Sequence, residues 1–135
     1  MLLVTVKRAT WFRGQGPEHS RLLTTEKAPR RCCLGFAAQA LRFPDSVLSN
    51  VTNLWSIPVM CDASWRPQQR HPVFIALSAH STPDLPITAR YGCQPRNIQH
   101  LLILINDDRG LPDDEREAYL TRYGELAGIA FTFED

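Results

Sequence analysis

The chain has 135 residues, 44% of them hydrophobic, and a formal net charge of +1, which is typical of a single globular domain with its own core. No apolar run approaches the roughly 18 residues of a membrane span, so the sequence predicts a soluble protein with no membrane contact. The near-neutral charge argues against a strong phosphate-binding surface, so nucleic acid is not an expected partner.

The N terminus favours a cytoplasmic location. Residues 1–6 are apolar, but Lys7 and Arg8 follow where a signal peptide would continue its apolar core, and the sequence lacks a cleavage site. Thiols stay reduced in the cytoplasm, so we expect no disulfide. The four cysteines are Cys32, Cys33, Cys61 and Cys93.

Charge is distributed unevenly along the chain. Residues 1–45 carry eight Lys or Arg against three acids, whereas residues 106–135 carry three Arg against nine acids. Such a distribution either pairs the two ends inside the fold or offers two opposite faces to partners. We favour the first interpretation.

The first third of the chain predicts two short strands and a helix. Val4 and Val6 alternate with polar residues as in a strand, and residues 21–25 have the β-branched content of a second one. A helix then opens at the thiol pair and ends before Pro44. Gly35 costs this helix about 1 kcal/mol relative to Ala, so we expect another element to approach it closely. The predicted buried face consists of Leu34, Ala37, Ala38 and Leu41.

The middle of the chain, residues 44–96, holds seven of the ten prolines and therefore predicts loops with short elements between them. Residues 45–53 fit a short helix with apolar residues at helical spacing. Residues 73–77 are an apolar run that indicates a buried strand or another packed segment.

The last forty residues give the clearest pattern. Residues 98–105 predict a helix capped by Asn97, with a strand over the second half as the alternative. A polar turn at residues 106–110 follows, and a second helix begins at Pro112 with three acids in its first turn, which its positive end favours. Gly128 can cap that helix, and the alternating apolar residues after it predict a strand that needs a partner near the N terminus.

These elements together predict an α+β fold. We expect one domain over residues 1–135, with a few helices packed on a short antiparallel sheet and a proline-rich, loop-dominated middle at residues 44–96.

Five short motifs follow one another along the chain: Trp11-Phe12-Arg13-Gly14, Cys32-Cys33-Leu34-Gly35-Phe36, Ile105-Asn106-Asp107-Asp108, Leu111-Pro112-Asp113-Asp114-Glu115-Arg116-Glu117 and Gly128-Ile129. In this order they resemble small uncharacterised proteins of phages and prophages. Those proteins usually have Ser or Thr as the cap of the acidic helix, where this chain has Pro112. The resemblance does not extend to residues 44–96, and it implies no catalytic residue.

The thiol pair is a candidate nucleophile. Cys32 and Cys33 follow Arg30 and Arg31 and open a helix, and both cations and a helix N terminus stabilise thiolates. Packing of the thiols in the core is the interpretation we favour, since a thiol enzyme also needs a base. Candidate bases are His71, His80 and His100. The spacing of cysteines and histidines fits no zinc motif, so we expect no metal and no cofactor.

Asn106, Asp107 and Asp108 follow an apolar helix, so the two aspartates lie at the negative end of its dipole. One interpretation is a turn with Asn106 in the left-handed conformation and an Asp bonding nearby amides. The other is an edge that binds a cation or a basic partner.

Arginines and aromatic residues are mixed in the first third of the chain. This mixture occurs in proteins that bind single-stranded nucleic acid, but it is also an ordinary half-buried surface, which we favour. The residues are Trp11, Phe12, Arg13, Arg30, Arg31 and Arg42.

The function we expect is that of a non-enzymatic, phage-type accessory protein in the cytoplasm of a bacterial host. It would bind another protein, such as host defence machinery, through complementary charge. The alternative is a thiol-dependent enzyme or redox-sensitive protein using Cys32 or Cys33. A homodimer is also open, because the apolar run at residues 101–105 can serve an interface as well as a core. The candidate binding residues are Asp107, Asp108, Asp113, Asp114, Arg30, Arg31, Trp11 and Arg13.

Overall fold

A two-stranded sheet joins the two ends of the chain. Strand β1 spans Leu2–Lys7 and strand β2 spans Ile129–Glu134, and the strands run parallel. Leu2 lies opposite Ile129 and Lys7 lies opposite Glu134. The structure, a computed structural model, describes residues 1–16, 20–25, 28–49, 51–52, 66–79, 82, 85–92 and 94–135.

The expected antiparallel sheet is wrong, because the two strands of this sheet are parallel. Antiparallel pairs are the commoner kind, and the pattern of a single strand does not encode its direction relative to its partner. A parallel pair needs a crossover of about a dozen residues or more. Here the chain between residues 8 and 128 supplies that crossover through its helices.

The regular structure described between the two strands is helical. Within the described residues, 3₁₀ segments lie at Arg8–Thr10, Pro86–Tyr91 and Glu125–Ala127. The α-helices in the described part of the chain are α1 (Cys33–Ala40), α2 (Asp45–Leu48), α3 (Arg66–Gln69), α4 (Pro72–Ser78), α5 (Ile98–Asp107) and α6 (Asp113–Gly124).

The elements with strong periodicity are confirmed. Helices α1, α5 and α6 and both terminal strands lie where the sequence predicts them. The side chain of Asn97 caps α5 by accepting a hydrogen bond from the His100 amide at 2.8 Å. Gly128 ends the helical segment before β2 with a φ of 78°, a left-handed conformation that favours glycine.

The short segments in the middle of the chain differ from expectation. Residues 73–77 lie in α4, so their interpretation as a strand is wrong. Pro72 begins that helix, and the Nδ1 atom of His71 accepts a hydrogen bond from the Val73 amide at 3.1 Å. Residues 21–25 form isolated bridges, Leu23 with Ser49 and Thr24 with Arg30, and not a strand of the sheet. The helix expected over residues 45–53 is a single turn, and residues 50 and 53 lie outside the described part.

One core cluster contains the buried apolar residues of the described chain. Helix α1 packs on β1 and α6 packs on β2, while α5 contacts both of these helices. Burial of this apolar surface is the main stabilising term of the fold. Among the fully buried side chains are Leu34 of α1, Leu101, Leu102 and Ile105 of α5, Leu120 of α6 and Ile129 of β2.

Gly35 lets the chain at Leu22 pass directly over α1. A Cβ atom at Gly35 would lie 1.9 Å from the Leu22 carbonyl oxygen. The expected close approach to this glycine is therefore confirmed.

Within the described residues, every helix is too short or too polar to cross a membrane.

We expect Gly35→Ala to destabilise the fold by about 1–3 kcal/mol, since backbone must move to admit the methyl group. An exposed helix glycine would show the opposite sign, because alanine is the better helix former by about 1 kcal/mol. Urea unfolding measures the difference. The control is Gln39→Ala on the exposed side of α1, which we expect to change stability by less than about 0.5 kcal/mol. A Gly35→Ala variant more stable than the wild type would contradict the close approach.

Candidate functional site

The side chain of Asn106 lies at the point where three of the sequence motifs meet. It is buried, with 1% of its surface exposed. Its Oδ1 atom accepts hydrogen bonds from the Trp11 indole at 2.9 Å and from the Cys33 amide at 3.0 Å. Its Nδ2 atom donates to the Phe12 carbonyl at 3.0 Å and to the Asp107 carboxylate at 3.1 Å. All four bonding positions of the amide are therefore used.

These bonds also satisfy two helix ends. The Cys33 amide is one of the donors at the start of α1 that have no partner within the helix, and Asn106 supplies that partner from the end of α5. In return, the Gly14 amide donates to the Asn106 carbonyl at 2.8 Å. The motifs at Trp11, Cys33 and Asn106 are thus parts of one structural joint.

The buried side chain of Arg116 forms hydrogen bonds with the backbone of the turn after α5. It is buried, with 4% of its surface exposed. Its guanidinium donates to the carbonyls of Asp108 at 2.5 Å and Leu111 at 2.9 Å, and it forms an ion pair with Asp113. This side chain therefore bonds to both ends of the segment between α5 and α6.

Three of the four predicted binding acids are engaged within the chain. Asp107 is buried and accepts hydrogen bonds from the amide and hydroxyl of Ser20. The Nε and Nη2 atoms of Arg90 donate hydrogen bonds to the Asp108 carboxylate at 2.5 and 3.1 Å. Arg90 thereby lowers the pKa of that carboxyl. The left-handed turn expected at Asn106 is wrong, since Asn106 and Asp107 belong to α5, but Asp108 does bond the Gly110 amide at 2.9 Å.

The ends of the chain pair with each other across the fold. Arg13 binds Asp113 with two hydrogen bonds, at 3.0 and 2.7 Å, and thereby lowers the pKa of Asp113. Arg8 likewise binds Glu117 at 2.5 Å and Asp135 at 3.1 Å. The interpretation of the uneven charge as pairing inside the fold is confirmed by these ion pairs. Of the four candidate acids, Asp114 is the exposed one without an ion pair to a described residue.

The aromatic and basic candidates of the N-terminal half belong largely to this packing. Trp11 is 3% exposed, and the guanidinium of Arg13 lies 4.5 Å from its ring centre. Arg30 is exposed and covers the ring of Phe12 at 4.4 Å. Arg31 binds Asp45 at 2.7 Å. An exposed aromatic platform for nucleic-acid bases is not formed by these residues.

Both candidate thiols are buried, Cys32 with 3% and Cys33 with 0% of the residue exposed. Burial raises the pKa of Cys32 to about 12 and the pKa of Cys33 well above its usual range. Two candidate bases are engaged elsewhere, since His71 caps α4 and His100 accepts a hydrogen bond from the Arg96 amide at 3.1 Å.

These features argue against a thiol nucleophile at Cys32 or Cys33. The described residues also contain no cluster of three metal-ligating side chains. Cys61, Cys93 and His80 lie outside the described part of the chain.

Comparison of the chain with protein-family models, with curated proteins and with solved structures finds no match. The function therefore has to be argued from the geometry of the described residues.

Sequence reasoning missed two features that could bind a partner or a ligand. The first is the exposed edge of β1, formed by the backbone of Leu3, Thr5 and Lys7. The second is a cavity beside Tyr91 and Arg109. A parallel register would have identified the first, whereas the second depends on contacts between residues more than 70 positions apart.

We expect neither Cys32 nor Cys33 to react with iodoacetamide in the folded protein at neutral pH, since both are buried and protonated. Peptide mapping after labelling gives the extent of reaction at each cysteine. The same protein in denaturant is the control, in which both should be modified within minutes. Modification of either residue at the denatured rate without denaturant would contradict this assignment and restore the thiol hypothesis.

Proposed function

We propose that this protein acts by binding another protein, and that the partner adds an extended segment to the open edge of β1. The observation that carries the proposal is the exposure of hydrogen-bonding backbone along that edge.

The register of the sheet determines which backbone groups lie on the edge. Leu2 donates to the Gly128 carbonyl at 2.8 Å, so the peptide groups of Leu2, Val4 and Val6 point at β2. Those of the alternate residues Leu3, Thr5 and Lys7 point away from it. In the described structure these three residues are exposed, and the outward backbone groups of Leu3 and Thr5 have no hydrogen-bond partner there. The Lys7 carbonyl accepts one long hydrogen bond, from the Thr10 hydroxyl at 3.5 Å.

The opposite edge of the sheet is covered. There the outward groups belong to Ile129, Phe131 and Phe133 of β2, and Ile129 and Phe131 are 0% and 3% exposed. Gly124 of α6 lies close enough that a Cβ atom on it would be 3.3 Å from the Ile129 carbonyl oxygen. Strand addition is therefore possible at β1 and blocked at β2.

The side chains along β1 indicate the chemistry of the added segment. Leu3 is 77% exposed, and Lys7 is exposed with a long contact of 3.9 Å to Glu134. A segment with an apolar residue beside Leu3 and an acidic residue beside Lys7 would form favourable cross-strand pairs. The acidic surface we first considered contributes less, because Asp107, Asp108 and Asp113 are already engaged.

The biological setting of the proposal comes from the resemblance to phage proteins. On that basis the partner is a protein of the bacterial host, such as part of its defence machinery, and binding takes place in the cytoplasm. Buried thiols argue against the thiol-dependent alternative.

The test is capture of partners from host lysate, identification by mass spectrometry, and measurement of Kd with the purified partner for Thr5→Pro and Thr5→Ala. Proline at position 5 removes an outward amide and crowds the edge, but it leaves the backbone hydrogen bonds to β2 intact. The contact of 3.3 Å between the Thr5 and Thr132 hydroxyls is lost in both variants. We expect Thr5→Pro to weaken binding by about tenfold or more, whereas Thr5→Ala, which keeps the amide, should bind as the wild type does.

Circular dichroism and urea unfolding check that each variant is folded. Leu3→Asp is a second variant at an exposed position, so it tests the edge even if the proline variant unfolds. Equal binding by the wild type, Thr5→Pro and Leu3→Asp would contradict the edge of β1 as the binding site. Failure to capture any host protein would contradict the proposed function. Loss of binding in Asp114→Lys alone would move the interface to the acidic helix.

A further inference from the structure

A cavity of about 510 Å³ lies between the second half of α5, the 3₁₀ segment Pro86–Tyr91 and the loop at Gly16. Sites for small molecules in proteins typically measure roughly 300–1,000 Å³ and combine apolar walls with a few polar groups. This cavity is separate from the edge of β1 in its lining residues.

The apolar wall is formed by Ile103 and Leu104 of α5. Both are half-buried, whereas their neighbours Leu101, Leu102 and Ile105 are fully buried in the core. The helix therefore keeps two large apolar side chains partly accessible at this position. An apolar ligand would bury them further.

The two acids that line the cavity already have partners. Asp107 accepts hydrogen bonds from Ser20 and from the Asn106 side chain. Asp108 is neutralised by the two-point contact with Arg90. Asp108 therefore adds little net charge to the cavity, whereas Asp107 keeps its charge, stabilised by hydrogen bonds from neutral groups.

Arg109 is the cation at this site without an acidic partner in the described chain. Its guanidinium donates to the Gln15 carbonyl at 3.0 Å. The side chain also passes close to Gly16, where an added Cβ atom would lie 2.7 Å from the Arg109 Nε atom. The side chain is thus held across the loop at Gly16 with donors still available. Such a fixed guanidinium is suited to binding an acidic group.

The hydroxyl of Tyr91 is the second available group. Its oxygen is buried and makes no hydrogen bond within the usual distance and angle limits in the described chain, although it lies near enough to Asp108 to interact with that carboxylate. Burial raises the pKa of Tyr91 above its usual range, so the hydroxyl keeps its proton at neutral pH. A buried donor without a partner is costly, and a ligand oxygen would relieve that cost.

We propose that this cavity binds a small amphipathic anion, whose apolar body packs on Ile103 and Leu104 and whose acidic head is held by Arg109 and the Tyr91 hydroxyl. The site is independent of the proposed protein-binding edge.

The probe is anilinonaphthalene sulfonate, which joins an aromatic body to one acidic group, and its Kd is measured by isothermal titration with the full chain. The matched neutral probe is phenylnaphthylamine, which has the same aromatic body without the sulfonate. We expect the anion to bind about tenfold more tightly than the neutral probe, and Arg109→Gln to remove that difference, since one charge-assisted hydrogen bond is lost.

Tyr91→Phe separates ligand binding from a structural role. It should weaken the affinity for the anionic probe several-fold. The stability of the free protein should be unchanged or raised, because a hydroxyl without a partner is removed. A loss of stability in the free variant with unchanged binding would contradict the assignment of Tyr91.

A second cavity of about 500 Å³, lined by Met1, Val73, Ala76 and their neighbours, provides the matched control. Filling it with Ala76→Phe should leave binding unchanged, whereas Leu104→Trp should abolish it. Loss of binding in Ala76→Phe, or equal affinity for the two probes in the wild type, would overturn the proposal.

Discussion

The fold depends on one buried amide, the side chain of Asn106. It bonds the Trp11 indole and the Cys33 amide, which are 95 and 73 positions away in sequence, together with the Phe12 carbonyl and the neighbouring Asp107. The Trp11 indole and the Cys33 amide are buried and would lose this partner without Asn106, at a cost of about 1–3 kcal/mol per group. The N-terminal loop, the start of α1 and the end of α5 are therefore held in one arrangement.

This joint explains why the conspicuous sequence motifs are poor guides to function. The tryptophan, the thiol pair and the Asn-Asp-Asp segment meet in the interior, where their polar groups form hydrogen bonds with one another. The ion pairs of Arg8 and Arg13 with the C-terminal acids then tie the two ends of the chain together. The groups that we propose for binding lie outside this joint: the edge of β1 and the donors of Arg109 and Tyr91.

The sequence predicts the elements that carry their own periodicity, namely α1, α5, α6 and the two strands, and the close approach at Gly35. The direction of β2 relative to β1 could not be read from either strand, because it is determined by the path of the chain between them. The apolar run at residues 73–77 is too short to distinguish strand from helix, and Pro72 at the helix start decided it. Local pattern alone likewise favours a turn at Asn106, since its bonding partners outside α5 are distant in sequence.

The coupling between Trp11 and Asn106 tests this account most directly. A double-mutant cycle with Trp11→Phe and Asn106→Ala, followed by urea unfolding, measures the free energy of their interaction. Phenylalanine removes the indole donor and keeps an aromatic ring against Phe133, which lies 5.1 Å away between ring centres. The account predicts that Asn106→Ala alone costs at least about 3 kcal/mol and that the pair couples by about 1 kcal/mol or more. A small effect of Asn106→Ala, with additive free energies for the double variant, would contradict it.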